Sequence, residues 1–209
     1  MKVLVIGTGN MGAGFVKQLA AAGHQVSVTA RDQAKARSLA QQFGAVAVAS
    51  ADSATSVDAI VLATPYAEAV AALRTVGELT GKTVIDITNP LTPDYMGLTL
   101  GHNTSAAEEI AKAVPGAEVV KGFNTVFAQV LAEGAELGDG QKVTVFVASD
   151  SDRAKQTARA LAESMGFRVM DAGGLQNARY LEPVAGLNIY FGYGAGLGTG
   201  IAPTWIHKN

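Results

Sequence analysis

The chain has 209 residues, with 16 Lys and Arg against 18 Asp and Glu, a net charge of -2, and 48% hydrophobic residues. That length and hydrophobicity fit one large folded domain or one with a short appendage, and the balanced charge excludes the basic footprint of a nucleic-acid binder. No cysteine is present, which excludes thiolate catalysis, disulfide staples, iron–sulfur ligation and thiolate zinc sites. Only 16% of residues are charged, against roughly a quarter in average proteins. We therefore expect a second subunit to cover part of the surface, most simply in a homodimer. No leader-like segment precedes the apolar run at Val3, so a cytoplasmic protein is expected.

Lys2 to Ile6 reads as a β-branched strand ending at glycine, and Asn10 to Ala22 carries Met11, Phe15 and Leu19 at helical spacing. Gln25 to Ala30 reads as a strand. Gln33 to Phe43 reads as a helix stopped by Gly44, and the period-two pattern resumes at Val46 and Val48. Asp58 to Ala63 predicts a strand, Tyr66 to Val76 a helix, and Thr83 to Ile87 a strand that is apolar on both faces. After a Pro-, Gly- and Thr-rich loop, Ser105 and Glu108 form a capping-box pattern ahead of a helix through Val114. Glu118 to Phe123 and Lys142 to Ala148 predict strands around a short helical piece at Phe127 to Leu131. A helix over Asp150 to Met165, a strand over Arg168 to Asp171 and a helix over Arg179 to Tyr193 complete the pattern. Such alternation predicts an α/β fold, a Rossmann-like, doubly wound, mostly parallel sheet whose ligands bind beyond the carboxyl ends of the strands. The expected division is a cofactor domain over 1–182 and an apolar tail over 183–209. The uncharged stretch from Pro183 to Ile206 is long enough to span a membrane, but its glycines, prolines and Asn188 favour a buried or subunit-facing segment.

The sharpest motif is Gly7-Thr8-Gly9-Asn10-Met11-Gly12, placed between the first strand and the first helix. In that context the first glycine permits a tight turn, the second lets the backbone approach a pyrophosphate, and the third brings helix and strand close. The helix amino terminus then supplies free N–H groups for phosphates. About 18 residues beyond Gly12, where an acid would hold the ribose of NAD, the chain has Thr29-Ala30-Arg31-Asp32. Arg31 suits the 2′-phosphate of NADP, to which Thr29 could add a hydroxyl. Asp32 could accept from an unphosphorylated ribose or cap the next helix. Ala63-Thr64-Pro65 and Asn89-Pro90-Leu91 end the fourth and fifth strands on the rim where the nicotinamide half should lie, although turn formation explains Asn89 equally well. Gly122 would let a flat ring approach the backbone. Asp86 and Asp171 read as turn or cap residues, and the scattered His24, His102 and His207 give no triad or metal cluster. His24 is expected at the solvent face, and only His102 lies in a rim loop.

These segments, with Lys121-Gly122-Phe123-Asn124-Thr125 and Asp171-Ala172-Gly173-Gly174, resemble the NADP-dependent oxidoreductases of the coenzyme F420 family. They also resemble the related reductase domain of the six-transmembrane ferric reductases. The resemblance runs from Met1 to about Glu182. It implies that Gly9, Asn10, Met11 and Arg31 hold NADP and that Ala63 and Pro65 flank its ribose and nicotinamide. It places Asn89, Phe123 and Asn124 near the ring or its flavin-like partner, which could be F420, FMN or FAD. Hydride transfer between two such rings obliges no acid or base, so Asn89, Asn124 and His102 are only candidate catalytic residues. The chemistry expected is transfer between NADPH and a small-molecule redox acceptor. Reduction of an imine or carbonyl substrate, or a non-catalytic NADP sensor, stands as the alternative.

Overall fold

The computed structural model describes residues 1–138 and 140–206, so His207 lies outside the described residues. The chain runs β1 (Lys2–Ile6), α1 (Asn10–Ala21), β2 (Gln25–Thr29), α2 (Gln33–Phe43), β3 (Val46–Ala47), β4 (Ala59–Leu62), α3 (Tyr66–Arg74), β5 (Thr83–Asp86), α4 (Ala106–Ala113) and β6 (Glu118–Lys121). It continues with α5 (Ala128–Glu133), β7 (Glu136–Leu137), β8 (Gln141–Lys142), β9 (Thr144–Val147), α6 (Asp152–Ser164), β10 (Arg168–Asp171) and α7 (Ala178–Ile189). A π-helical turn over Tyr190–Gly194 follows α7.

Six parallel strands stand in the order β3-β2-β1-β4-β5-β6. Strand order reverses between β1 and β4, which opens a crevice at their carboxyl ends. This is the doubly wound arrangement that the strand–helix alternation predicts. A second parallel pair, β9 with β10, joins the far edge in the opposite direction through Lys121 and Ala148, whose backbones exchange bonds of 2.9 and 3.0 Å. Alternate residues of β1 serve the two faces: Val3 and Val5 pack with Phe15 and Leu19 of α1, while Leu4 and Ile6 pack with Leu73 of α3 and Ile110 of α4.

Local chemistry fixes the helix ends. Asp32 accepts from the N–H groups of Ala34 and Lys35, and Gly44 ends α2 in the left-handed region at φ 69°. Ser105 accepts from the Glu108 N–H, but the Glu108 carboxylate turns to the Ser105 hydroxyl and to Arg179 and does not close the reciprocal box. Two expectations change. Lys142 pairs in a small hairpin with Glu136 before β9 begins, because Val143 N–H bonds the Ala135 carbonyl. His24 is half-buried, with Nε2 2.8 Å from Ser164 Oγ, and burial lowers its pKa. In the stretch after Pro183, expected to be buried or subunit-facing, Leu187, Tyr190, Tyr193 and Leu197 are each more than half exposed in the single chain. Residues 182 and 183, between which the sequence places the end of the cofactor domain, both lie within α7.

Candidate dinucleotide site and adjoining cavity

The three glycines of the first loop meet three different constraints. Gly7 has φ +117°, and a Cβ there would sit 2.3 Å from the Ala63 carbonyl oxygen. At Gly12 a Cβ would sit 2.1 Å from the Gly7 carbonyl oxygen. Both positions therefore need glycine for the fold itself. Around a Cβ at Gly9 nothing lies within 4 Å, so that side of the loop is open space.

The helix that begins there is left without a cap. Among the described residues no side chain caps α1, and no acid lies in its first turn, whereas Asp32, Ser105 and Ser151 cap α2, α4 and α6. Intrahelical bonding starts with Ala13 N–H to the Gly9 carbonyl, which leaves the N–H groups before it for a ligand. An uncapped helix start behind an open glycine is the cradle that a pyrophosphate needs.

A groove of about 520 Å³ leads from this loop, lined by Gly7, Thr8, Gly9, Thr29, Ala30, Arg31, Ala63, Thr64 and Pro65. Asp32 lines it too, and its Oδ1 caps α2 by accepting from the N–H groups of Ala34 and Lys35 at 3.0 and 3.1 Å. Arg31 is solvated and pairs with Glu68 at 2.9 Å across the groove mouth. Thr29 and Ser50 face each other with hydroxyls 3.0 Å apart, and Lys35 completes this end. Lys35 follows Arg31 at i+4, a spacing that could have signalled it. Ser50 comes from a loop with no such signal. Thr64 Oγ1 is buried without a protein partner on the same groove, so the residues present fit a dinucleotide that brings its own polar groups.

Beyond the first turn of α1 lies a second cavity of about 500 Å³, with Met11 on its near side. Its walls are mostly apolar, and Asn89 and Asn124 stand among them. Asn89 Nδ2 donates to the Asn124 carbonyl at 2.9 Å, and Asn124 Nδ2 donates to Asn89 Oδ1 at 3.0 Å and to the Leu181 carbonyl at 2.9 Å. Asn124 Oδ1 is left buried with no partner among the described residues. Ala185, Asn188 and Ile189 of α7, with Tyr193, form another wall. Among the described residues no Lys, Arg or His lines this cavity, and Asp94 is an acid on its wall.

Phe123 borders the cavity but is 1% exposed, with its ring edge-on to Phe15 and Phe167 at 4.9 and 5.8 Å. It shapes the wall from the core side, and its φ of 59° turns the chain so that Asn124 follows into the cavity. Gly122 does not serve an approaching ring: a Cβ there would meet Val147 and Ile85 at ordinary contact distances inside the protein. His102 lines a separate depression with Arg179 and Tyr180, away from Asn89 and Asn124.

Behind the asparagine pair lies a group that the sequence reading missed. Lys121 Nζ, fully buried, lies 2.7 Å from Asp86 Oδ2 and 2.9 Å from Glu182 Oε1, and it donates to the Thr88 carbonyl at 2.6 Å. Glu182 also accepts from the N–H groups of Ala106 and Ala107 at the start of α4, where the helix dipole favours negative charge. Asp86 accepts from the Thr88 N–H as well, so its expected turn duty is one part of a buried ion cluster.

Fold and loop together define a dinucleotide-binding protein of the Rossmann type. Residues 2–90 match the family model described as NADP oxidoreductase, coenzyme F420-dependent. The chain is 32% identical over 207 residues to the F420-dependent NADP reductase of Methanothermobacter thermautotrophicus, covering 90% of this chain and 88% of that protein. Metalloreductase STEAP3 of Rattus norvegicus is 29% identical over 184 residues, 88% of this chain and 36% of that longer protein. A crystal structure from Arthrobacter sp. FB24, of a protein assigned but not established as an F420-dependent NADP reductase, superposes with a TM-score of 0.89 at 29% identity, covering 99% of this chain and all of that one. The chain belongs to the family of coenzyme F420-dependent NADP oxidoreductases and is an NADP-dependent oxidoreductase. No helix among the described residues is long and apolar enough to cross a membrane.

Proposed function

We propose that the protein transfers hydride between NADP and a planar flavin or deazaflavin acceptor, F420, FMN or FAD, seated in the apolar cavity. The observation that carries this reading is the junction of two spaces at one helix start. Gly9 lines the groove, Met11 lines the cavity, and both belong to the loop and first turn of α1.

In this reading Gly7 to Gly12 hold the pyrophosphate, with the backbone N–H groups of Asn10 and Met11 facing it. Thr29, Ala30 and Arg31 take the adenosine end, with Arg31 exchanging Glu68 for the 2′-phosphate. Ala63, Thr64 and Pro65 lie along the ribose and lead to the cavity mouth. The bound nicotinamide supplies the hydride, so the protein has only to set distance and orientation and to exclude water. Asn89 and Asn124 orient the rings by hydrogen bonding, and Phe123 holds the wall behind them. The proton that balances the hydride on the reduced acceptor ring is taken from solvent at the cavity mouth, so no residue has to supply it. The tail after Pro183 closes the cleft through Tyr193, while its exposed face, with Tyr190 and Leu197, suits contact with a second subunit in a homodimer.

The test is oxidation of NADPH and NADH by the purified protein with F420, FMN, FAD and a quinone offered in turn, alongside binding titrations of both nucleotides. Turnover of NADPH with one flavin-type acceptor is expected. Tight NADPH binding without turnover on any of them overturns the reading.

A further inference from the structure

We propose that Lys121 is a positioning residue for the redox step: from behind the cavity wall it sets the asparagine pair that meets the reacting rings. Its ammonium gathers three acceptors from three elements, Asp86 at the end of β5, Thr88 in the loop beyond, and Glu182 in α7. It is the one ion cluster among the described residues whose members are all fully or almost fully buried. Burying charges away from water is costly, and apolar residues of like volume commonly hold a core as well or better. An ammonium can do what they cannot, which is to fix the direction and distance of several acceptors at once.

Those acceptors lead to the cavity. Thr88, clamped through its carbonyl, immediately precedes Asn89. Glu182 immediately follows Leu181, whose carbonyl accepts one N–H of Asn124, and the other N–H goes to Asn89. The covalent chain and these bonds form a closed circuit from Lys121 through Thr88, Asn89, Asn124, Leu181 and Glu182 back to Lys121. With both N–H groups of Asn124 committed, its Oδ1 has one defined orientation and no partner among the described residues. The glycine loop is outside the circuit, so cofactor binding and ring geometry separate.

This inference rests on the reading of the apolar cavity as the acceptor site, and the experiment keeps the two apart. Glu182→Gln preserves shape but presents an N–H to donors that the carboxylate now accepts, and Lys121→Met removes the hub. The unmodified protein and both variants are compared in melting, NADPH titration, steady-state kinetics with the acceptor, and the side-chain amide NMR signals of Asn89 and Asn124. Expected are an NADPH Kd within about threefold and kcat/KM for the acceptor lower by about tenfold or more. The asparagine side-chain signals shift while the backbone signals of Gly7 to Gly12 stay in place. Unchanged asparagine signals and kcat/KM in Glu182→Gln overturn the proposal even if Lys121→Met fails to fold, and so does an equal loss of NADPH binding. Asn124→Leu tests the parent reading: unaltered acceptor kinetics there reject the cavity, whereas impaired kinetics there with normal Glu182→Gln reject only the role of Lys121.

Discussion

A Cβ on Gly12 would lie 2.1 Å from the carbonyl oxygen of Gly7, so the two ends of the first loop touch backbone to backbone. Gly9 between them touches nothing. Glycine is thus required by the fold at Gly7 and Gly12, whereas at Gly9 the fold leaves room for a side chain.

This difference predicts opposite outcomes for two alanine substitutions. Gly9→Ala should melt within a few degrees of the unmodified protein while its NADPH Kd rises about tenfold or more. Gly12→Ala should lose about 2 kcal/mol or more of stability, because backbone must move. Thermal melting and fluorescence titration of each variant check both; equal loss of stability in the two would reject the assignment.

Arg31 is solvated, and among the described residues its side chain pairs with Glu68 alone. Exchange of that partner for a 2′-phosphate predicts that Arg31→Ala weakens NADPH about ten- to a hundredfold and leaves NADH nearly unchanged. Lys35→Ala should act in the same direction with smaller effect. Parallel titrations with the two nucleotides measure this, and equal losses would place Arg31 against the adenine or the fold.

Asn89 gives one N–H to the Asn124 backbone and receives one from its side chain. Asn89→Ala should leave NADPH binding within about threefold and lower hydride transfer about tenfold, the effect of one lost orienting contact. Single-turnover kinetics with a deuterated nicotinamide donor would isolate the transfer step.

Acid stability should depend on Glu108. Its carboxylate receives two bonds from Arg179 at 2.7 and 2.9 Å and one from Ser105, and the Arg179 bond chiefly lowers its pKa below the usual 4.5. A carboxyl lowered by folding binds fewer protons folded than unfolded. Its contribution is therefore complete above the unfolded value and is lost as pH falls through the folded one. Arg179→Ala should cost roughly 1 kcal/mol at pH 7 and lose less than the unmodified protein on going to pH 3.5. Melting at several pH values checks the slope.

Elements with local signals were readable in the sequence. The glycine loop, the strand–helix alternation and the cap at Ser105 depend on spacings of a few residues, and the structure places them as their chemistry demands. Asp32 was readable only as a choice, because one side chain could cap α2 or meet a ribose; two N–H bonds show the cap. The cluster of Asp86, Lys121 and Glu182 was invisible because its members lie far apart in sequence and meet only when β5, β6 and α7 pack. The resemblance places Phe123 near the rings but carries no sign of how it sits there; its left-handed backbone and two aromatic neighbours hold it in the core at the edge of the cavity.

The duty of Asp32 at the start of α2 bears on how such a protein could be redesigned. Asp32 lines the groove and also starts α2, so a change made there to suit a different ribose would disturb a helix as well. Removing Arg31 alone would make a poorer NADP protein without making a good NAD protein. A lineage or an engineer moving toward NAD would have to supply a new acid at Ala30 and keep Asp32 where it stands.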